Sequence, residues 1–485
     1  MVFSSSVFLF LFLPLTLVGY FLIMRTEFRN VFLLAASLCF YAWGETFYIG
    51  IMAGSIGLNY LVGLFIDRQA QQRTQVVSPT AVLLCGVACN LSVLFYCKYA
   101  NFFFENLNTV LGRVGWSQVT FSPVHLPIGI SFFTFQAMSY LIDVYRRETS
   151  VQRNIINCAL YISLFPQLIA GPIVRYHDVA QQLVSRSVTI QQCSMGIQRF
   201  IFGLSKKVIL ANPLGEVTDK IFAVQSGELT TGMAWLGIAC YALQIYFDFS
   251  GYSDMAIGLG RMFGFDFLEN FNYPYISQSV QEFWRRWHLS LSSWFRDYVY
   301  IPLGGNRIST RRTYLNLWII FLLCGLWHGA SWNFIIWGML HGAYLVVERR
   351  GGGVMLKKVG RPFRHGYTLF LISVAWVFFR AETLPSALAY FKAMFGFSNA
   401  TGTTYYALLY CDLKIVLTLV AGCICATPIS SRIATRIEEY WRQTPSYVAR
   451  GIIAGAYYAL LMGLFFLSAS YLAAGTYNPF IYFRF

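Results

Sequence analysis

Apolar stretches follow one another along the whole chain, and this pattern constrains the fold more than any other feature. A helix that crosses the hydrocarbon core of a bilayer needs about 20 apolar residues. The apolar runs cover 7–24, 30–43, 46–66, 80–97, 124–144, 155–174, 196–212, 233–262, 314–348, 366–380, 413–430 and 450–472. Charged residues make up only 12 % of the chain, against roughly 25 % in soluble domains. We therefore predict an all-α, polytopic integral membrane protein with about 10–12 membrane segments, in a single membrane-embedded domain over residues 1–485.

The formal net charge of +15 fits this prediction. In a membrane protein, an excess of lysine and arginine collects in cytoplasmic loops, and no basic cluster here lies on a soluble module, so we expect no nucleic-acid partner. The first run, Val7 to Met24, lacks a basic leading region and a cleavage site, which indicates a retained first span. Basic loops predict an N-terminus on the outer side. Lys206 and Lys207 interrupt the alternation of spans, and we expect a short, tilted or re-entrant element there.

Residues 275–313 are unusually basic for so apolar a chain. The segment has six arginines and two acidic residues, and it reads YISQSVQEFWRRWHLSLSSWFRDYVYIPLGGNRISTRRT. At 100° per residue, the tryptophans and His288 share one face of a helix from Trp284 to Tyr298, with the arginines opposite. Such a helix is typical of an anchor in the membrane interface. A histidine on the apolar face is not expected of an anchor, which makes His288 a candidate functional residue beside the alternative of a hydrogen-bonded structural role.

A second unusual segment runs from Tyr314 to Glu348 and has no acidic, lysine or arginine residue before Glu348. It is far longer than one span and barely long enough for two. Basic residues flank both ends, so we expect the chain to enter the membrane and return, with a break near Gly325–Ser331. The break contains His328. An ionisable side chain inside a membrane is a functional hypothesis by default, and an uncharged imidazole suits a general base.

Metal, redox and common hydrolytic chemistry find little support in the sequence. The eleven cysteines show no metal or redox spacing and are expected to be buried free thiols. His341 falls on the opposite face from His328 if both lie on one helix, so a shared ion is not expected. The chain has no G-x-S-x-G elbow, Walker A loop or H-E-x-x-H motif. The arginines of 275–313 remain open to two interpretations: contacts to phosphates of an anionic donor, or simple retention on the cytoplasmic side.

At this point the residues resemble a family. The run from Tyr241 to Arg307, which contains FWRRWH, and LWHGASWNFIIWG, from Leu326 to Gly338, resemble the signature segments of bacterial membrane-bound O-acyltransferases. The upstream HLPIGISFFTFQAMSYLIDVYRRE and SLFPQLIAGPIVRY and the closing FIYFRF are similar as well. The likeness spans nearly the whole chain and is greatest to the branch that O-acetylates alginate-type polysaccharides.

The resemblance implies a fold and a set of site residues. The fold is a ring of membrane helices around a funnel-like centre. His328 matches the essential histidine and acts as the base on the acceptor, and His288 matches the second histidine, in a supporting role. The donor is acetyl-CoA, with no bound cofactor and no metal. The residues expected to contact the donor are Trp284, Arg285, Arg286, Trp287, Arg296 and Asn333.

The function implied is transfer of an acetyl group from cytoplasmic acetyl-CoA across the membrane to an exported polysaccharide. Partners would be membrane lipid and extracytoplasmic or membrane-anchored acetyltransferase proteins, in the bacterial inner membrane. Two alternatives stay open. One is D-alanyl transfer from a carrier protein to teichoic acid. The other is a polysaccharide or lipid transporter without acyl chemistry, for which many spans and buried polar residues are equally expected, although no inverted repeat is visible.

Overall fold

In the computed structural model, which describes residues 1–72, 77–225 and 227–479, all regular secondary structure of the described residues is helical. The first half of the chain forms α1 Leu13–Leu22, α2 Thr26–Ala42, α3 Ile49–Gln71, α4 Pro79–Val114, α5 Ile130–Arg146, α6 Ile155–Ser163, α7 Phe165–Leu168, α8 Tyr176–Val184, α9 Ile190–Ser205, α10 Asn212–Phe222 and α11 Thr231–Met262. The second half forms α12 Val280–Trp284, α13 Leu289–Phe295, α14 Thr310–His328, α15 Trp332–Val347, α16 Gly353–Lys358, α17 Arg361–Arg380, α18 Leu384–Met394, α19 Leu413–Cys425, α20 Ile429–Gln443 and α21 Tyr447–Ala473. The closing FIYFRF lies outside the described residues.

Two helices form the centre of the fold. Helix α5 is buried throughout 130–141, and α11 throughout 243–260. The outer helices α3, α4 and α21 instead expose large apolar side chains, among them Leu61, Leu84 and Phe466. Exposed apolar surface on this scale is expected of helices that face lipid. The polar residues that the core contains are therefore held inside a shell of apolar helices.

Few of the apolar runs form one straight spanning helix. By length and composition, three of the described helices could cross a membrane alone: α3, α4 and α21. The pair α19 and α20, bent by 65°, makes a fourth if it counts as one span. The prediction of about 10–12 membrane segments came from counting apolar runs in the sequence. The structure divides several of these runs into shorter helices, as at Ser163–Phe165 and Gly329–Ser331.

The predicted break in the segment 314–348 is confirmed. Helix α14 ends at His328, and α15 begins at Trp332, where the Ser331 side chain accepts a hydrogen bond from a backbone N–H of the first turn. The two helices return against each other at glycines. A Cβ on Gly325 would lie 2.3 Å from the Phe334 carbonyl oxygen, and one on Gly338 would lie 2.2 Å from the Phe321 carbonyl oxygen. Gly325 therefore permits close approach of α14 to α15, where it packs against Gly338.

The prediction of one amphipathic helix from Trp284 to Tyr298 is wrong. Helix α12 ends at Trp284, and α13 begins only at Leu289. Between them His288 adopts a left-handed conformation with φ of 46°, which an uninterrupted helix cannot contain. The preceding loop holds this turn, since the Leu289 N–H donates to the Asn270 carbonyl. The segment is therefore folded into the core, with the Trp287 and His288 side chains buried, and does not lie as a continuous anchor on the membrane surface.

The short, tilted or re-entrant element expected at Lys206 and Lys207 does not form a separate element. Helix α9 continues into α10 through a widened turn over Lys206–Ala211, a feature that often marks a functional or strained position in a helix. The Lys207 ammonium lies 2.8 Å from a carboxylate oxygen of Asp248 on α11, and both side chains are almost fully buried. A buried lysine needs such a partner, so this turn fixes α9 and α10 on the central helix.

The close approach of α14 and α15 predicts that adding a methyl group at their contact lowers the stability of the protein, whereas the same change at an open glycine does not. Gly338→Ala places a methyl group against backbone that cannot rotate away, and we expect a loss of about 1–3 kcal/mol of stability from overpacking. Thermal unfolding in detergent, followed by size-exclusion chromatography, measures the loss. Gly366→Ala on α17 is the matched control, because no atom lies within 4 Å of its added Cβ. Equal melting temperatures for the two variants would contradict the interpretation.

Candidate active site

His328 is the last residue of α14 and lies at the break in the membrane segment. Its side chain is surrounded by aromatic rings: the ring centroids of Trp327, Trp337 and Phe379 lie 4.9, 5.0 and 5.0 Å from the imidazole. Its Nδ1 is buried and, among the described residues, has no hydrogen-bond partner. An imidazole so placed has nitrogen atoms that are not committed to the fold, which is the condition for proton transfer to a bound molecule.

His288 is held by a buried polar hub centred on Asn270. The His288 Nδ1 lies 3.1 Å from the Asn270 Oδ1, and that oxygen also accepts the backbone N–H and the hydroxyl of Ser290. Because the Ser290 N–H can only donate, the Asn270 oxygen is an acceptor, and His288 donates from Nδ1. Its Nε2 is then the free acceptor, and within the described chain this buried atom has no partner.

Trp327 brings the two histidines together although 40 positions separate them in the chain. Its ring centroid lies 5.9 Å from that of His288 and 4.9 Å from that of His328. Both imidazoles therefore contact one indole. The two histidines predicted from the sequence share a site.

His341 joins this group from α15. Its ring lies 4.8 Å from Trp337, which also contacts His328, and its Nδ1 accepts a hydrogen bond of 3.2 Å from the Trp284 indole. On one continuous helix, His328 and His341 would lie on opposite faces. The break places them on two helices that pack together, so Trp337 lies against both rings.

A cavity of about 720 Å³ lies beside these residues and is strongly basic. Its lining follows α14 over Leu317, Ile320, Phe321 and Cys324, and it includes the cations Arg285, Arg296, Arg349, Lys357 and Arg364. The Nε of Arg364 is buried and has no hydrogen-bond partner among the described residues. Arginine donors in excess of acidic partners suit a phosphate-bearing ligand. We refer to this space as the arginine-rich cavity.

The six residues predicted to contact a donor divide equally. Trp284, Arg285 and Arg296 line the arginine-rich cavity. The other three make contacts within the fold. The Arg286 guanidinium pairs with Glu282 at 2.9 Å, and the Trp287 ring centroid lies 5.5 Å from that of Phe283. The Asn333 amide donates to the Ala381 carbonyl.

A second, smaller cavity reaches His328 from another direction. It has a volume of about 320 Å³, and its lining includes Lys98, His125, Ser131, Trp327 and His328. The arginine-rich cavity ends on α14 at Cys324, so the two linings are separated by about one helical turn. His328 and Trp327 therefore lie where the two spaces approach each other.

Sequence reasoning missed several lining residues of both cavities. Lys98 could have been found, because it is a lone charge at the end of an apolar run, and such a charge is a functional hypothesis. Arg364 and Ser131 carry no such signal. They reach the cavities only through the packing of α17 and α5 onto α14 and α15.

One group of potential metal ligands occurs in the described residues: Asp143, Glu148 and His177. It includes none of the three buried histidines. The His177 Nδ1 lies 3.0 Å from Asp143, and hydrogen bonds to Asp143 and Asp178 raise the pKa of His177 to about 10. The three side chains form an ion-pair cluster at the end of α5.

The Asn270 hub predicts a specific cost. Asn270→Ala leaves the His288 Nδ1 and Ser290 without their acceptor, which we expect to destabilise the protein by about 1–3 kcal/mol. Asn272→Ala is the control, since this asparagine is exposed two residues later in the same loop. The melting temperatures of the two variants in detergent test the prediction. Equal melting temperatures would show that it is wrong.

Comparison with known proteins identifies the family of the chain. The sequence model of the membrane-bound O-acyltransferase family matches residues 36–350. The chain is 43 % identical to a probable alginate O-acetylase of Azotobacter vinelandii over the full length of both, and 49 % identical to that of Pseudomonas aeruginosa over 82 % of this chain and 76 % of the relative. It is 36 % identical to a peptidoglycan O-acetyltransferase of Helicobacter pylori over 83 % and 81 %. The protein is an all-α membrane enzyme, an O-acyltransferase, and it belongs to the membrane-bound O-acyltransferase family.

Proposed function

We propose that the protein transfers an acetyl group from cytoplasmic acetyl-CoA to an exported polysaccharide. The observation that carries the proposal is the place of His328, which lies where a cationic cavity and a second cavity approach each other. A transferase that acts across a membrane needs a site of this kind, reached by two substrates from different sides.

The arginine-rich cavity is the proposed donor site. Coenzyme A carries several phosphates, and arginine binds phosphate with paired, charge-assisted hydrogen bonds. Arg285 and Arg364 are the main candidates, because Arg285 lines the cavity and Arg364 has a buried nitrogen without a partner in the described chain. Arg296 is already paired with Asp297, at 2.6 Å. The thioester would extend along α14 towards Trp327.

The reaction is a direct acyl transfer. The acceptor hydroxyl oxygen attacks the thioester carbonyl carbon, a new C–O bond forms, and the C–S bond breaks. His328 removes the proton of the acceptor hydroxyl and returns a proton to the departing thiolate, so that coenzyme A leaves as a thiol. The aromatic rings around His328 limit the access of water, which would otherwise hydrolyse the thioester. His288, with its Nε2 free, helps to orient the acceptor or the acyl group.

Sidedness follows from charge. Helix α14 begins next to Arg311 and Arg312, and α15 is followed by Arg349 and Arg350. The positive-inside rule supports a cytoplasmic location for these ends and for the arginine-rich cavity, in what we propose is a multi-pass protein of the inner membrane. The smaller cavity then serves the outer side. Extracytoplasmic or membrane-anchored acetyltransferase proteins would receive the acetyl group there and pass it to the glycan.

The acceptor class is taken from the relatives. Two relatives at 43 % and 49 % identity carry names that specify O-acetylation of alginate, and another is named a peptidoglycan O-acetyltransferase, so we propose an exported polysaccharide of the alginate type. The alternative, D-alanyl transfer from a carrier protein, is distinguished by the acetyl-CoA assay described below. Such a donor needs a protein-docking face, whereas the observed feature is a cavity lined by several arginines.

One prediction of the proposed function concerns the base. In native membranes supplied with labelled acetyl-CoA, we expect His328→Ala to abolish both label in glycan and release of free coenzyme A, because His328 is the proposed base for the acceptor proton. His365→Ala is the control, since this histidine lines neither cavity. Full activity of His328→Ala would refute the role of the base. If the wild type itself leaves acetyl-CoA unused, a carrier-bound aminoacyl donor should be supplied next.

The second prediction separates two adjacent arginines that the sequence could not distinguish. Arg285→Gln removes a cation from the cavity, and we expect the KM for acetyl-CoA to rise roughly 10-fold, the equivalent of one charge-assisted hydrogen bond. Arg286→Gln should change this KM less than about threefold, because its guanidinium is directed to Glu282 and to the Asn272 carbonyl. Initial rates against acetyl-CoA concentration give both values. A larger effect at Arg286 would place the donor elsewhere.

A further inference from the structure

The end of α14 poses a problem of hydrogen bonding. Its last intrahelical hydrogen bond runs from the Gly329 N–H to the Gly325 carbonyl, at 3.3 Å. The carbonyls of Leu326, Trp327 and His328 therefore have no partner within the helix. Helices often solve this with a left-handed glycine, but Gly329 is extended, with φ of −170° and ψ of 156°. In an apolar environment, unpaired carbonyls are costly.

Two consecutive residues of α4 supply the missing donors. The Tyr99 hydroxyl donates to the Leu326 carbonyl at 2.7 Å. The Lys98 ammonium donates to the Trp327 carbonyl at 2.5 Å and lies 3.3 Å from the His328 carbonyl. All three carbonyls are thus satisfied from a helix more than 200 positions away in the chain.

The Lys98 side chain is fully engaged by these contacts. An ammonium group has three N–H donors, and the third lies 3.2 Å from the Ser131 hydroxyl on α5. No donor remains for a substrate, although Lys98 lines the smaller cavity. A cation at the C-terminal end of a helix also interacts favourably with the helix dipole. Lys98 is 9 % exposed, so water screens this interaction little.

Resting on the proposed function, we propose that Lys98 and Tyr99 form a cap supplied by a second helix, which holds the end of α14 and positions His328 between the two cavities. The His328 backbone is bound directly, through its carbonyl. Among the described residues, its side chain is surrounded by the rings of Trp327, Phe334, Trp337 and Phe379 and makes no side-chain hydrogen bond through Nδ1. The cap is therefore the main polar restraint on the base, and Lys98 is a positioning residue.

The kinetic test uses three variants and one control. A displacement of about 1 Å can reduce the rate of a reaction 10²-fold, so we expect Lys98→Met to lower kcat roughly 10- to 100-fold. The KM for the donor should stay within about twofold, because Lys98 lies outside the arginine-rich cavity. Tyr99→Phe should lower kcat roughly fivefold, and Lys98→Arg should restore part of the loss. Tyr96→Phe is the control, an exposed tyrosine on the same helix.

A second measurement does not depend on which donor the enzyme uses. Carbethoxylation of His328 by diethyl pyrocarbonate, quantified by peptide mass spectrometry, reports how freely the imidazole moves out of its aromatic surroundings. We expect the reaction to be roughly fivefold faster in Lys98→Met, and close to the wild-type rate in Tyr96→Phe. If the wild type transfers no acetyl group, the proposed function fails, and this rate still tests the cap. An unchanged rate in both Lys98→Met and Tyr99→Phe overturns the proposal, as does a raised donor KM with unchanged kcat.

Discussion

Backbone carbonyls and N–H groups must be hydrogen-bonded wherever lipid or apolar protein replaces water. A helix that stops in the middle of such a region violates this rule unless other groups supply the missing partners. The stop at His328 and the restart at Trp332 are possible because Ser331 satisfies the start of α15, while α4 reaches the end of α14. The rest of the site depends on that solution, since it allows a polar residue to sit at a helix end where two cavities can reach it.

Glycine determines how closely the elements around this break can pack. Gly325 and Gly338 let α14 and α15 touch backbone to backbone. The same device recurs between α9 and α11, where a Cβ on Gly203 would lie 2.5 Å from the Gly251 carbonyl oxygen. In membranes, close van der Waals contact replaces the hydrophobic effect as the force between helices. The small residues therefore supply rigidity to a site whose histidines carry few polar restraints.

Local patterns predicted the break and the importance of His328, because a long uncharged segment with basic ends and an internal histidine has few other interpretations. They failed at residues 284–298. Helical periodicity there is good, but His288 adopts a left-handed conformation. Its side chain contacts Asn270, which lies in a loop outside that window. The different roles of Arg285 and Arg286 could not be predicted for the same reason. Adjacent arginines are equivalent in a sequence, and only the turn after α12 aims one at the cavity and the other at Glu282.

The approach of two cavities to one histidine has a consequence for the cell as well as for the chemistry. The linings end about one helical turn apart on α14. A continuous file of water through this gap would conduct protons and discharge the gradient across the membrane. If the two substrates enter from opposite sides as proposed, the rings of Trp327, Trp337 and Phe379 packed around His328 would oppose the formation of such a file and so limit proton leakage across the membrane.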